Sequence, residues 1–255
     1  MQKKKYTVVA NWKMNPETLS KAQELSKGVE KGLKKNSNTK VILCAPSVFL
    51  PILTVKKSKM ISWGAQNMHW EKQGPYTGEI SSKMVVGSGA TYVILGHSER
   101  RALSETSDMV NKKILAALKS GLTPIVCIGE RERDPQSNYL TTLKQQVIET
   151  FQKLPKASLK KIIVTYEPVW AISSHQVRPA TPEESTEMVI FIKKILADMY
   201  GQQIVAGINF LYGGSVNPED ALSFIVHGNV SGLLVGHASL KAKTFLQIIN
   251  SMPQN

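Results

Sequence analysis

Cysteine is scarce in this sequence. Only Cys44 and Cys127 occur among its 255 residues, and each lies inside an apolar run. No second cysteine or histidine stands near either one at metal-ligand spacing, and His69, His175 and His227 are equally isolated. The pattern favours two buried, unreactive thiols over a disulfide, a metal site or redox chemistry.

Long apolar runs are also missing. No stretch approaches the roughly 18 apolar residues of a membrane-spanning helix. The run from Tyr6 to Ala10 follows a basic start and resembles a signal peptide only briefly, because it stops at Asn11-Trp12-Lys13. We therefore expect a cytoplasmic protein without a membrane partner.

Acidic residues are few, with 19 Asp and Glu against 32 Lys and Arg, which gives a net charge of +13. Such a charge raises the hypothesis of a nucleic-acid partner. The lysines, however, are spread along the chain and lack interleaved aromatic residues, so solvated helix faces explain them better and we expect no nucleic-acid partner. A positive field would still attract a small anionic substrate.

What the sequence does contain is a regular alternation of β-favouring runs and segments of helical period. No change in composition interrupts this alternation, which predicts an α/β fold, a single (β/α)8 TIM barrel over residues 1–255. The eight predicted strands are Tyr6 to Ala10, Lys40 to Ala45, Met60 to Ala65, Tyr92 to Leu95, Pro124 to Ile128, Lys161 to Tyr166, Ile204 to Leu211 and Leu233 to Val235.

Helix starts are marked by proline. Asn15-Pro16, Thr181-Pro182 and Asn217-Pro218 are each followed by acidic residues. A capping residue, a proline in the first helical position and acids in the first turn predict that a helix begins at each of these three places.

Polar residues follow the predicted strands where each strand ends. In a parallel barrel these ends converge on one face. Singly, a solvated lysine, a glutamate before proline or a Gly-Gly-Ser turn has an ordinary structural explanation. Jointly they supply a carboxylate base, an imidazole, a fixed cation and two glycine-containing turns that can hold phosphate, which indicates proton transfer beside a carbonyl of a small phosphorylated substrate. The residues are Asn11, Lys13, His97, Ser98, Glu99, Glu167, Ser215, Gly236 and His237.

Seven ordered motifs carry a resemblance over essentially the whole length: the sequence resembles the triosephosphate isomerase family. The motifs are Asn11-Trp12-Lys13-Met14-Asn15, Gly64-Ala65-Gln66-Asn67, Tyr76-Thr77-Gly78-Glu79, Gly96-His97-Ser98-Glu99-Arg100-Arg101, Cys127-Ile128-Gly129-Glu130, Tyr166-Glu167-Pro168-Val169-Trp170-Ala171-Ile172 and Leu211-Tyr212-Gly213-Gly214-Ser215-Val216.

The resemblance implies an isomerase of glycolysis and gluconeogenesis that interconverts dihydroxyacetone phosphate and D-glyceraldehyde 3-phosphate through an enediolate. In this family a neutral histidine polarises the carbonyl and a loop closes over the substrate. Glu167 would be the base, His97 would polarise the carbonyl and Lys13 would stabilise the developing charge. Asn11 would contact the polarised oxygen, and Glu99 would support Lys13 and His97.

The resemblance also assigns the phosphate contacts and the supporting residues. The phosphate would be held by Ser173, whose backbone amide donates, and by Ser215, Gly236 and His237, while Ser98 would support the catalytic groups. No cofactor or metal is implied, and no nucleotide-binding or zinc pattern occurs in the sequence.

Two connections have implied roles. The long loop at about residues 66–80 would insert into a second subunit through Thr77 and complete a homodimer. Residues 168–178 would form a lid that closes over the phosphate and excludes water. In the lid the chain departs from the family, which reads Gly-Thr-Gly-Lys after Ala-Ile where this sequence has the run from Ser173 to Pro179. Measured to the following Thr181-Pro182, the lid is two residues longer than in the family. We expect lid motion to limit turnover more strongly than in a typical member of the family.

The second departure is His237, where the family has a second glycine beside Gly236. A side chain there could crowd the phosphate, turn away into solvent, or attract the phosphate when protonated. These two departures support one rival function, a barrel that binds phosphosugars without efficient turnover. The presence of Lys13, His97 and Glu167 speaks against this rival.

Overall fold

The computed structural model describes residues 5–34, 38–56, 58–172 and 178–253. In these residues eight parallel strands close into a barrel, with each strand paired to the next along the chain and the eighth paired to the first. The strands are Tyr6–Asn11 (β1), Thr39–Cys44 (β2), Ile61–Ala65 (β3), Tyr92–Leu95 (β4), Thr123–Ile128 (β5), Ile163–Tyr166 (β6), Asn209–Tyr212 (β7) and Gly232–Val235 (β8). The predicted α/β fold, a (β/α)8 TIM barrel, is confirmed.

Helices follow the strands and cover the outside of the barrel. The α-helices of the described residues are Leu19–Gly32 (α1), Leu50–Leu53 (α2), Ser82–Gly87 (α3), Ser98–Ala102 (α4), Ser107–Lys119 (α5), Asn138–Phe151 (α6), Pro182–Tyr200 (α7), Gln202–Val205 (α8), Ala221–His227 (α9) and Ala242–Asn250 (α10). Short 3-10 helices span Lys156–Lys161, Val169–Ala171 and His237–Leu240. No helix in this described part of the chain is both long and apolar enough to cross a membrane.

One of the three predicted helix starts is confirmed. Thr181 caps α7 in a capping box with Glu184, and Pro182 is the first helical residue. The start at Asn15-Pro16 was wrong, because α1 begins at Leu19 and it is the Thr18 hydroxyl that accepts the backbone N–H of Lys21.

The start at Asn217-Pro218 was wrong as well. Helix α9 begins at Ala221, after a turn in which the Asn217 N–H donates to Asp220 Oδ1 at 2.8 Å. The predicted seventh strand began too early for a related reason. Ile204 and Val205 favour strands by type but lie in α8, a short helix that follows Gly201 and hydrogen-bonds back to it.

Alternate residues of each strand face opposite sides of the barrel wall. Val9, Ile94 and Leu234 pack in the barrel interior, whereas Val8 packs with the surrounding helices. Cys44 and Cys127 belong to the interior cluster and are fully buried and free. The prediction of two buried, space-filling cysteines is confirmed, and burial raises the pKa of both thiols.

Residues 66–80 form a long connection that carries one isolated bridge, between His69 and Ser81. The His69 ring stacks on Trp70 at 4.0 Å and contacts the Tyr76 ring at 4.5 Å between centroids. These ring contacts give the base of the connection a packed shape, while residues 71–79 are exposed.

Candidate active site

The carboxyl ends of the strands surround a cavity of about 350 Å³. The cavity is lined from both sides of the barrel mouth, so that residues far apart in sequence face the same space. Predicted residues among those that line it are Asn11, Lys13, His97, Glu167, Ser215, Gly236 and His237.

Lys13 is held by its own backbone and by one carboxylate. It follows β1 with φ of 53°, in the left-handed region that a lysine rarely adopts, and its N–H donates to Asn11 Oδ1 at 3.0 Å. Its Nζ lies 2.7 Å from Glu99 Oε1. The unusual backbone angle and the ion pair together fix the direction in which the ammonium group points.

His97 stands at the end of β4, where it precedes α4. Its Nδ1 accepts the backbone N–H of Glu99 at 3.2 Å. Its Nε2 lies 3.0 Å from Glu167 Oε1. Because Nδ1 acts as an acceptor, the ring is neutral in this arrangement and carries its proton on Nε2, which donates to Glu167.

Glu167 follows β6 and is only 2% exposed. Its carboxylate accepts the Ser98 N–H at 2.9 Å and the Ser98 hydroxyl at 2.8 Å, in addition to the bond from His97. Burial raises the pKa of Glu167, but the hydrogen bonds and the neighbouring His97 outweigh burial, so the pKa of Glu167 is lowered overall. The side chain is therefore a carboxylate at neutral pH.

The interaction between Glu167 and His97 raises the pKa of His97, whereas it lowers that of Glu167. Burial lowers the pKa of His97, while the adjacent carboxylate of Glu167 and, more weakly, that of Glu99 raise it, and the net pKa is raised. Protonation of His97 is thus promoted by Glu167. A movement of Glu167 away from the ring would leave burial as the stronger influence and favour the neutral imidazole.

The opposite side of the mouth consists mainly of backbone. The Gly213 N–H donates to the Tyr166 carbonyl at 2.8 Å, and a Cβ at Gly214 would collide with the Tyr212 hydroxyl. A Cβ at Gly236 would lie 3.4 Å from Lys13 Cε, so this glycine stands directly beside the lysine. We call residues 213–215 together with Gly236 the glycine cradle, which leaves open space and backbone amides next to a cation.

The chemistry available here combines a carboxylate, a neutral N–H donor and an ammonium group around one cavity, with the glycine cradle beside them. A carboxylate can move a proton from carbon, while the other two groups stabilise negative charge on an oxygen. In the residues that the structure describes, no group of three or more His, Cys, Asp and Glu side chains could hold a metal ion.

Comparison with known proteins decides the family. A sequence model described as "Triosephosphate isomerase" matches residues 6–252. The chain belongs to the triosephosphate isomerase family. A triosephosphate isomerase of Clostridium botulinum (strain Okra / Type B1) is 41% identical over 246 residues, covering 95% of this chain and 98% of the relative.

Two further triosephosphate isomerases extend the similarity to other organisms. That of Dictyoglomus thermophilum is 41% identical over 256 residues, covering 96% of this chain and 98% of the relative. That of Alkaliphilus oremlandii is 38% identical over 252 residues, covering 97% and 99%. The resemblance seen in the sequence motifs, and with it an isomerase of the triosephosphate isomerase type, is confirmed.

The other residues predicted for this triosephosphate isomerase site are not among the described residues that line the cavity. Ser173 lies outside the described residues, as does the centre of the predicted lid, residues 173–177. Thr77 is exposed in the long connection and is not among the residues lining the cavity. Ser98 and Glu99 stand behind the cavity wall and reach it through Glu167, His97 and Lys13.

Sequence reasoning did not identify a buried hydrogen-bond network beside Glu167. Glu130 is 3% exposed, and its Oε1 accepts the Tyr166 hydroxyl at 2.8 Å and the Trp170 indole N–H at 2.9 Å. Arg133 donates to the same oxygen at 3.1 Å. The network fixes the chain on both sides of Glu167, and its members could be named from the motifs, but their contacts span up to 40 positions.

Gly129 is a second functional position that sequence reasoning did not single out. A Cβ at this residue would collide with the backbone carbonyl of Glu167, and the Glu167 N–H donates to the Ile128 carbonyl at 2.8 Å. The end of β5 therefore sets the position of the glutamate directly. The only signal in the sequence was the glycine itself, and the need for a residue without a side chain there becomes apparent only from the contact with Glu167.

Proposed function

We propose that this chain interconverts dihydroxyacetone phosphate and D-glyceraldehyde 3-phosphate, with Glu167 as the base, His97 as the acid that polarises the carbonyl and Lys13 as the electrostatic stabiliser. Membership of the triosephosphate isomerase family supports the reaction. The observation that carries the assignment of roles is that these three side chains line one cavity beside the glycine cradle.

In the proposed reaction Glu167 removes a proton from C1 of dihydroxyacetone phosphate and returns it to C2. The electron pair of the broken C–H bond forms the C=C bond of the enediolate, and the carbonyl oxygen O2 takes the negative charge. His97 donates its Nε2 proton to O2 and takes the hydroxyl proton from O1, so that protonation of C2 leaves a carbonyl at C1 and a hydroxyl at C2. To reach the carbon, the carboxylate must give up its bonds from Ser98 and His97. Those bonds lower its pKa, so release in a buried site makes Glu167 a stronger base when it meets the substrate.

His97 and Lys13 act on the oxygens. Once Glu167 has moved, the Nε2 proton is free to donate to the substrate carbonyl, and burial favours the neutral ring that this role needs. Lys13 places a fixed positive charge beside the same space, and Asn11 holds its backbone. A positioned base contributes about two to four orders of magnitude in rate, and preorganised charge a comparable factor.

The phosphate would bind in the glycine cradle, with Ser215 and Gly236 beside it and His237 at its edge. The Ser215 hydroxyl donates to the Ala171 carbonyl at 2.9 Å, which links the cradle to the segment entering the predicted lid, residues 168–178. Ser173 would add a backbone amide from that lid. A closed, dry site would protect the enediolate from losing phosphate to water.

We further propose that two copies form a homodimer. Met14 is 93% exposed beside the catalytic Lys13, an unusual position for a large apolar side chain. A cavity of about 310 Å³ next to Met14 is lined by Asn11, Lys13, His97 and Glu99 among others. The exposed tip of the loop at residues 66–80, with Thr77, would fill this cavity from the second copy and press on the residues that orient Lys13.

Sedimentation velocity tests the homodimer. The chain should sediment as a species of twice its mass, and Met14→Asp should shift it to the monomer and lower kcat, because a charge cannot enter an apolar contact without cost. A species with the mass of one chain and full activity would contradict the proposal. We also propose a cytoplasmic location, as expected for an enzyme that acts on charged triose phosphates, which cell fractionation can test.

The function is tested by a coupled assay of glyceraldehyde 3-phosphate conversion. The chain should turn over substrate, and Glu167→Gln should lose at least about three orders of magnitude in kcat with KM little changed, because the amide keeps the shape but cannot accept the proton. Saturable binding of substrate without turnover would favour the rival function, a phosphosugar-binding barrel. The same activity in Glu167→Gln would contradict the role of Glu167.

A further inference from the structure

His237 lies at the mouth of the active-site cavity, where its imidazole could interact with a bound anion. It directly follows Gly236 of the glycine cradle and begins the 3-10 helix His237–Leu240. The residue lines the same cavity as Lys13 and Ser215, and it is exposed to solvent. It therefore stands at the solvent-facing edge of the cavity, next to the place proposed for the phosphate.

The charged groups facing this cavity from the surrounding elements determine what His237 can do. Among the carboxylates, Glu167 is occupied by Ser98 and His97, and Asp220 accepts the Asn217 N–H. Burial raises the pKa of Asp220, so this group resists ionisation more than an ordinary aspartate. Both carboxylates are thus weakened as competitors for a cation at the rim.

The cations that face the cavity are placed at different depths. Lys13 is paired with Glu99 and lies beside Gly236, inside the cavity. Lys241, which precedes α10, lines the cavity and is exposed. A dianion in the glycine cradle would have Lys13 on the inner side, with His237 and Lys241 on the outer side, where a change in the charge of an imidazole can modulate binding.

We propose that the His237 side chain is a phosphate ligand of this site, so that affinity for a dianion in the glycine cradle rises as the imidazole gains a proton. The proposal rests on the proposed function only in placing the phosphate in that cradle. It makes His237 a specificity-determining residue through which this chain, unlike one with glycine at the position, couples substrate affinity to pH.

The size of the effect follows from exposure. An ion pair at a solvated rim is screened, so a protonated His237 should tighten binding by about two- to fivefold. The sign is fixed: the contribution is present at low pH, where the imidazole is charged, and is lost as pH rises. A purely steric side chain would weaken binding by the same factor at every pH.

Sulfate is the suitable probe, because it stays a dianion over the whole range, whereas a phosphate ester gains a proton near about pH 6. The measurement is the inhibition constant of sulfate against isomerase activity from about pH 5.5 to 8. The variants are His237→Gln, which is neutral, His237→Lys, which stays charged, and His237→Gly. The control is His227→Gln, an exposed histidine at the end of α9.

We expect sulfate to bind more tightly to the unaltered protein as pH falls, by about two- to fivefold more than to His237→Gln. His237→Lys should keep tight binding at high pH, and His227→Gln should follow the unaltered protein. Parallel profiles for the unaltered protein and His237→Gln would overturn the proposal, as would a constant gain in affinity for His237→Gly at all pH, which indicates crowding.

The outcome is separable from that of the proposed function. If the chain lacks isomerase activity, sulfate binding can be followed by calorimetry with the same four variants, and His237 is tested alone. If the chain is an active isomerase and its affinity for sulfate is the same with every residue tested at position 237, the proposed function is supported and the proposed role of His237 is wrong.

Discussion

The two sides of the barrel mouth are built by different means. The side at the ends of β1, β4 and β6 consists of side chains that bond one another, as Lys13 bonds Glu99 and Glu167 bonds Ser98. The side at the ends of β7 and β8 consists of backbone made accessible by glycine, as at Gly214 and Gly236. Proton transfer needs particular functional groups at fixed distances, whereas phosphate binding needs a shape lined by amides.

This difference explains how the site accommodates the side chain of His237. A residue with a side chain, His237, stands at the rim of the backbone-built side without disturbing the groups opposite. The side-chain-built side offers no comparable freedom, because each group there orients the next. Substitutions on the two sides should therefore differ in size and in the kinetic constant that they change.

The largest effect is expected beneath the side-chain-built side. Lys113 and Glu105 form an ion pair with both side chains at most 3% exposed, and Glu105 also accepts the Gly96 N–H at 3.1 Å. Lys113→Met leaves a buried carboxylate without its cation and should lower the free energy of unfolding by about 3–5 kcal/mol.

The adjacent residue supplies the control. Lys112 pairs with Asp108, and both side chains are at least half exposed, so Lys112→Met should cost less than about 1 kcal/mol. Both values come from urea unfolding at one protein concentration, since dimerisation would shift apparent stability. Equal losses for the two lysines would mean that burial does not distinguish these pairs.

The next effect concerns Gly129, which follows β5 between the strands that precede His97 and Glu167. Gly129→Ala forces the backbone of Glu167 to shift, and a base displaced by about 1 Å loses on the order of a hundredfold in kcat. Gly87→Ala is the matched control, because nothing lies within 4 Å of a Cβ at that position. Stopped assays of the two variants compare them, and a similar kcat for both would refute the link.

A smaller effect is expected from Ser98→Ala. The Ser98 hydroxyl is one of the groups that lower the pKa of Glu167, so its loss raises that pKa. A base must be ionised, and the fall of kcat/KM on the acid side therefore moves to higher pH, with about a tenfold loss near its midpoint. The profile of Ser223→Ala, a residue that is not among those lining the cavity, should overlay that of the unaltered protein.

The smallest effect is expected on the backbone-built side. Ser215→Ala removes the bond to the Ala171 carbonyl but leaves the backbone amide of residue 215. KM should rise by about threefold, the value of one net hydrogen bond, while kcat changes little. A large fall in kcat with constant KM would instead place Ser215 in the chemical step and weaken the contrast between the two sides.

Sequence reasoning found the barrel and the side-chain-built site because both follow from local patterns. Strand ends converge by topology, so Lys13, His97 and Glu167 could be brought together without coordinates. The capping pattern at Thr181 likewise contains its own partners within four residues. What the sequence could not supply are contacts that join distant positions, such as the Glu130 to Trp170 hydrogen bond.

The errors have the same origin. Proline after asparagine resembles a helix start, but α1 is capped by Thr18, and α9 begins only at Ala221, after a turn in which Asp220 Oδ1 accepts the Asn217 N–H. Ile204 and Val205 favour strands as residue types, yet the turn after Gly201 places them in α8. Local preference yields where neighbouring elements decide the path of the backbone.

The pairing of β8 with β1 has a consequence for the order in which the protein can become active. The first strand, which precedes Lys13, keeps one unpaired edge until residues 232–235 have been synthesised, even when the other strands of the wall have formed. A nascent chain on the ribosome therefore cannot close the barrel until β8 has emerged, and translation interrupted before residue 232 would leave the wall open beside β1.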